Sequence, residues 1–154
     1  MKKLVAWVLA IVCAFGGMVG YQWSKPDFKD FQEYKDDFVQ VKNFLVDYNS
    51  ARNDTSRLRV GIGSQFLSIN GTDISDSSIE NSVKAIRDKG FTYIELKDDY
   101  IVFWEDETGY YGVLWSSNPQ KAVRQQKEAA RPYMNMKSKK LSSEWYEIGA
   151  LDSI

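Results

Sequence analysis

The stretch FTYIELKDDYIVFWEDETGYYGVLWS, residues 91–116, decides the fold. It contains three runs rich in β-branched and aromatic residues, Phe91–Leu96, Tyr100–Glu105 and Tyr110–Ser116. Side chains of these types fit a pleated, packed surface. Lys97-Asp98-Asp99 and Asp106-Glu107-Thr108-Gly109 separate the runs, and short clusters of that kind make turns. The stretch therefore predicts three consecutive, neighbouring antiparallel strands. Tyr100-Ile101-Val102-Phe103-Trp104 is apolar throughout, as expected of a central strand covered on both faces.

Toward the N-terminus, Ser77-Ser78-Ile79-Glu80 reads as a capping box that opens a helix with a buried face of Ile79, Val83 and Ile86, and Gly90 is placed to end it. Before it, Leu58, Val60 and Ile62 alternate with Arg59 and Gly61, which is strand spacing. The phase shifts after Gly63-Ser64, where a bulge or turn is expected, and Leu67 and Ile69 take up the alternation. Asn70-Gly71 is a tight-turn signal between two short strands. Asn49 to Ser56 is a polar linker. Residues 24–52 read as one long helix, with Ser24-Lys25-Pro26-Asp27 as its cap. Phe31, Tyr34, Phe38, Val41, Leu45 and Tyr48 recur at spacings of three and four, and Phe28 and Phe44 widen the stripe. The helix is expected to bury Phe31, Phe38 and Leu45 against its own sheet; the same spacing also fits a short heptad pattern, so a homodimer through helix 24–52 is the alternative.

Toward the C-terminus, Asn118-Pro119 opens a third helix that ends before Pro132, and a last strand lies around Trp145-Tyr146-Glu147-Ile148. The expected fold class is α+β: a long helix and a second helix packed on a mostly antiparallel sheet of four to six strands. Residues 24–154 form a single domain in this reading.

Residues 1–23 carry the address. Lys2 and Lys3 precede a run from Leu4 to Trp23 of 20 residues without a charge. A helix of that length is about 30 Å long, enough to cross a hydrocarbon core. Tyr21 and Trp23 suit the outer interface and the lysines the cytoplasmic side. The expectation is a single-pass anchor in the cell membrane with the C-terminus outside. The alternative is a cleaved signal peptide, cut after Gly16 behind Ala14-Phe15. Acylation of Cys13 is disfavoured by Val12 before it.

Without Lys2 and Lys3, the 20 basic residues become 18 against 21 acidic ones, a net charge of −3. A bulk polyanion binder is usually basic overall, so nucleic acid is not expected as a partner. The chain has no His, and its one Cys lies inside the apolar segment. Imidazole acid–base chemistry, Ser–His and Cys–His nucleophiles and His or Cys zinc sites are thereby removed. No catalytic residue, cofactor or metal site is assigned.

Three groupings remain. Glu95, Asp98, Asp99, Glu105, Asp106 and Glu107 form an acidic cluster in which two strands can bring Glu95 near Glu105, but most of its members sit in turns. Between Pro119 and Lys140, Lys121, Arg124, Lys127, Arg131, Lys137, Lys139 and Lys140 face a single acid, Glu128. Lys121, Arg124, Lys127 and Arg131 share a helical face and form a contact stripe for anionic lipid, wall polymer or an acidic partner; the bland alternative is a solvated face. Among the many aromatics, Trp104, Tyr111, Trp115 and Trp145 are candidates for a contact platform, with core packing as the alternative.

Asp99-Tyr100-Ile101-Val102-Phe103 and Gly109-Tyr110-Tyr111-Gly112-Val113-Leu114-Trp115-Ser116, followed by Trp145-Tyr146, resemble a class of small membrane-anchored extracytoplasmic proteins of Gram-positive bacteria. The resemblance covers about half the chain. It implies a bacterial surface address and no activity, cofactor or functional residue. The functional expectation is a non-enzymatic binding domain on the outer face of a bacterial membrane, meeting another envelope protein or an anionic surface. The alternative is a carboxylate- or metal-dependent hydrolase acting on an envelope substrate.

Overall fold

The computed structural model describes residues 31–52, 57–97, 99–105, 111–129 and 136–150. Its elements are α1 (Phe31–Ser50), β1 (Leu58–Ile62), β2 (Leu67–Ile69), β3 (Thr72–Ile74), α2 (Glu80–Asp88), β4 (Tyr93–Lys97), β5 (Tyr100–Trp104), β6 (Tyr111–Ser116), α3 (Pro119–Ala129), β7 (Met136–Lys140) and β8 (Trp145–Ala150). The apolar segment Leu4–Trp23, the cap at Ser24–Asp27, Phe28, the turn at 106–109 and Arg131 lie outside the described residues. Among the described residues no helix is long and apolar enough to cross a membrane.

The described strands form one eight-stranded antiparallel sheet in the order β3-β2-β1-β4-β5-β6-β8-β7. The class is α+β as expected, but eight strands replace the expected four to six. The three runs of the 91–116 stretch are neighbours in the sheet, and all five residues of β5 are buried. The strand without a forewarning is β7, Met-Lys-Ser-Lys-Lys, which has one apolar residue and lies at the sheet edge. Lysines on an edge strand discourage a second chain from adding to it. The other edge, β3, is only three residues long.

Register assigns every strand residue to a face. Val60, Ile94, Phe103, Val113 and Glu147 lie opposite one another in successive strands. They belong to the face covered by α1 and α2, where Phe38, Val41, Leu45, Val83 and Ile86 complete a single core. Phe38 is its centre, edge-on to Phe91 at 5.2 Å and to Phe103 at 4.9 Å between centroids. The stripe read from the sequence thus packs on the chain's own sheet, and the outward side of α1 shows Gln32, Glu33, Asp36, Gln40, Asn43 and Asp47.

The opposite face carries Arg59, Glu95, Val102, Leu114, Tyr146 and Lys140 in register. Here α3 covers a smaller cluster of Tyr100, Val102, Trp104, Leu114, Met136 and Ile148 with little more than Ala122 and Val123. Gly112 makes room for this packing: a Cβ there would stand 2.8 Å from the Trp104 ring and 2.5 Å from the Phe103 carbonyl oxygen.

Local signals hold with one exception. Asn70 and Gly71 both adopt positive φ, 52° and 78°, in the β2–β3 hairpin, as a two-residue turn matching strand twist requires. Gly90, at φ 99°, follows α2, and Asn118 Oδ1 accepts from the Lys121 amide at 3.4 Å at the start of α3. The expected capping box at Ser77–Glu80 does not form. Ile79 occupies the cap position without a side-chain bond. Asp76 instead accepts from the Ser78 hydroxyl at 2.6 Å and the Ser78 amide at 2.9 Å, which holds its carboxyl below the ordinary 3.8.

Candidate functional site

Basic side chains converge on the α3 side of the sheet, from more of the chain than the helix alone. Within α3, Ala122 and Gln126 point inward while Lys121, Arg124 and Lys127 are exposed. Lys121 meets Asp99 at 2.7 Å, which ties the helix to the β4–β5 turn. Arg124 lies 3.7 Å from Glu128, both well exposed. The strand β7 divides its lysines. Lys140 pairs with Tyr146 in register and shares the α3 face, whereas Lys137 and Lys139 project to the α1/α2 face. There Lys139 lies 3.6 Å from Glu147. The seven sequence candidates therefore do not form one stripe: Lys121, Arg124, Lys127 and Lys140 lie together, Lys137 and Lys139 lie behind, and Arg131 is outside the described residues.

The sheet adds three cations to the same side. Arg59 and Lys97 alternate onto the α3 face with Glu95, and Arg57 makes an ion pair with the Glu95 carboxylate. Glu95 is 3% exposed. Its other oxygen lies 3.5 Å from the Tyr100 hydroxyl, so a buried acid fixes a half-exposed guanidinium. Burial chiefly pushes the Tyr100 phenol above 10.0; the Glu95 charge adds to this, while Lys97 and Arg57 act against it. On this side Arg57, Arg59, Lys97, Lys121, Arg124, Lys127 and Lys140 stand against Asp73, Glu95, Asp99 and Glu128. Arg59, Lys97, Lys127 and Lys140 have no ion-pair partner among the described residues.

Asp98, Asp106 and Glu107 lie outside the described residues, and among those described Glu95 and Glu105 do not face each other. Glu95 lies opposite Val102, not Glu105; Glu105 lies further along, where its carbonyl accepts from the Thr92 hydroxyl at 2.6 Å. The second buried acid, Glu147, accepts from the Tyr111 hydroxyl on the other face of the sheet. No group of three metal-ligating side chains occurs among the described residues.

The four aromatic candidates are also separated. Trp145 is core, 5.6 Å from Phe31 and 5.9 Å from Phe38 between centroids. Tyr111 is buried on Glu147. Trp115 is partly buried under the Lys42 ammonium, 4.4 Å from the ring centroid. Trp104 alone lies on the α3 face, buried, with Tyr93 stacked on it at 6.4 Å. Tyr93 carries the Arg59 guanidinium 6.0 Å from its centroid. Arg57, Arg59 and Lys97 were not singled out from sequence, although the alternations Leu58-Arg59-Val60 and Tyr93-Ile94-Glu95-Leu96-Lys97 carry the signal that would have placed Arg59 and Lys97 on one face. Compared with protein-family models, curated proteins and solved structures, the chain matches none.

Proposed function

We propose that the chain is a non-enzymatic binding module, held at the outer face of a bacterial membrane by Leu4–Trp23, whose α3 side engages an anionic surface of the envelope. The observation that carries this reading is the gathering of seven basic residues, Arg57 just before β1 and six from β1, β4, α3 and β7, on one side of the sheet against four acids. The opposite side is closer to balance: α1 holds Glu33, Asp36, Asp37 and Asp47 against Lys35 and Lys42, α2 holds Glu80 and Asp88 against Lys84 and Arg87, and β7 adds Lys137 and Lys139 against Glu147. A net charge near zero conceals this segregation. Each exposed cation beside an anionic surface contributes on the order of 1 kcal/mol, and salt screens it within about 10 Å. Tethering raises the effective concentration, so weak contacts suffice.

The test is binding of residues 24–154 to anionic vesicles and to anionic wall polymer across a salt series. Binding is expected to weaken steeply with salt and to be lost on combining Lys121→Glu, Arg124→Glu and Lys127→Glu, with the circular dichroism spectrum unchanged. Salt-insensitive binding, or binding that survives the triple reversal, overturns the reading.

A further inference from the structure

The described sheet ends at β7, and the register fixes which backbone atoms of that strand face outward. The Leu141 amide donates to the Trp145 carbonyl at 2.9 Å. Hydrogen-bonded pairs alternate along an antiparallel ladder, so Lys139 with Glu147 and Lys137 with Gly149 are the bonded pairs that follow. The neighbouring ladder agrees. The Ser116 amide donates to the Glu144 carbonyl at 3.1 Å, which turns Tyr146 and Ile148 toward β6 and leaves Trp145, Glu147 and Gly149 for β7. The N–H and C=O groups of Ser138 and Lys140 therefore point away from the sheet, and no described strand pairs with them. Around these groups Lys137, Lys139 and Lys140 are exposed. Lys139 lies near Glu147, whereas Lys137 has no ion-pair partner among the described residues.

We infer that the outer edge of β7 takes an extended acidic peptide segment of another protein as an added strand. This surface lies beside the α3 side and does not depend on the anionic-surface function. An open edge offers main-chain bonds to any strand, and alternate side chains decide which strand is accepted. A second copy of β7 laid antiparallel about Ser138 would set Lys137 opposite Lys139, and like charges directly opposite repel. An acidic segment makes each of those contacts attractive. The lysines that turn away the chain's own copy thus select a strand bearing carboxylates. A phosphate polymer is the poorer fit to this edge: it can accept from the outward N–H groups but has no amide to give the outward carbonyls. The other edge, β3, is only three residues long and carries Asp73 as its one charge.

The experiment uses the full chain in neutral detergent micelles and a short labelled peptide alternating glutamate with threonine. This peptide is expected to bind, and its lysine-for-glutamate counterpart is not. Two further peptides, methylated on the glutamate nitrogens or on the threonine nitrogens, keep the charge and block opposite edges of the strand. One should bind like the parent and the other should not bind. Ser138→Pro removes an N–H that β8 does not use, and proline is tolerated on the open side of an edge strand. It should abolish binding and leave the melting temperature unchanged; if the variant unfolds, the methylated pair decides. Lys137→Glu should weaken binding about tenfold, because an attractive cross-strand pair becomes a repulsive one. The triple reversal on α3 should change it far less. Equal affinities for the two methylated peptides overturn the proposal, as does binding that survives Ser138→Pro or an acidic peptide that does not bind at all. None of those three results bears on the anionic-surface function, which is read from vesicles and wall polymer.

Discussion

The ammonium of Lys121 on α3 stands 2.7 Å from the carboxylate of Asp99 in the β4–β5 turn, with side chains 49% and 26% exposed. An ion pair so open to water contributes less than about 1 kcal/mol to stability. It does withhold one cation from any external anion. Asp99→Asn is therefore expected to leave thermal unfolding nearly unchanged and to tighten salt-sensitive binding to anionic polymer. A large drop in melting temperature would show that the pair, rather than Ala122 and Val123, holds α3 in place.

Phe38 is 1% exposed and packed between Phe91, Phe103 and Trp145. Phe38→Ala removes a ring that these three and Phe31 enclose and should cost roughly 3–5 kcal/mol. Denaturant unfolding measures it. A loss below about 1 kcal/mol would mean that the helix docks differently, since a well-packed ring at this position cannot be removed so cheaply.

Gly112 and Gly61 make a matched pair of tests on the same face. At Gly112 a methyl group would lie 2.5 Å from the Phe103 carbonyl oxygen, so Gly112→Ala must displace backbone and should cost about 1–3 kcal/mol. At Gly61 the nearest atom is 3.4 Å away, an ordinary contact. Gly61→Ala should be neutral or slightly stabilising, because the unfolded chain loses freedom. Equal melting temperatures for the two variants would contradict the packing of Trp104 over Gly112.

Tyr100 sets an alkaline limit. Burial raises its phenol above 10.0 in the folded chain. At neutral pH both folded and unfolded states hold the proton. As pH rises past 10.0 the unfolded chain releases it first, and stability falls until the folded-state phenol also ionises. Tyr100→Phe should flatten that part of the pH dependence. Urea midpoints of both proteins between neutral and strongly alkaline pH measure the difference.

Much of this architecture was legible wherever a local rule and the tertiary contacts agreed. The stripe Phe31, Phe38, Val41, Leu45 forms the buried side of α1, and Asn70-Gly71 makes its hairpin turn, because periodicity and positive φ are local demands. The strand Met136–Lys140 escaped because its pairing comes from β8, not from its own side chains; three lysines read as charge before they read as an edge. The capping box failed because Asp76, one residue earlier, captures Ser78. The basic site was half legible. Lys121, Arg124 and Lys127 are close in sequence, but Arg59 joins them only through the β1–β4 register, which no local pattern specifies.

Phe31, at the start of α1, rests 5.6 Å from Trp145, on β8. A ribosome makes the first of these residues long before the second. Until β8 has been synthesised, the N-terminal end of the helix lacks this aromatic partner, whereas the hairpins β1–β2, β2–β3 and β4–β5 join strands adjacent in the chain and can form as they emerge. Docking of the helix's N-terminal end is thus a late event in biosynthesis, and a chain interrupted before Trp145 carries an uncovered Phe31 that quality-control proteases and chaperones can read.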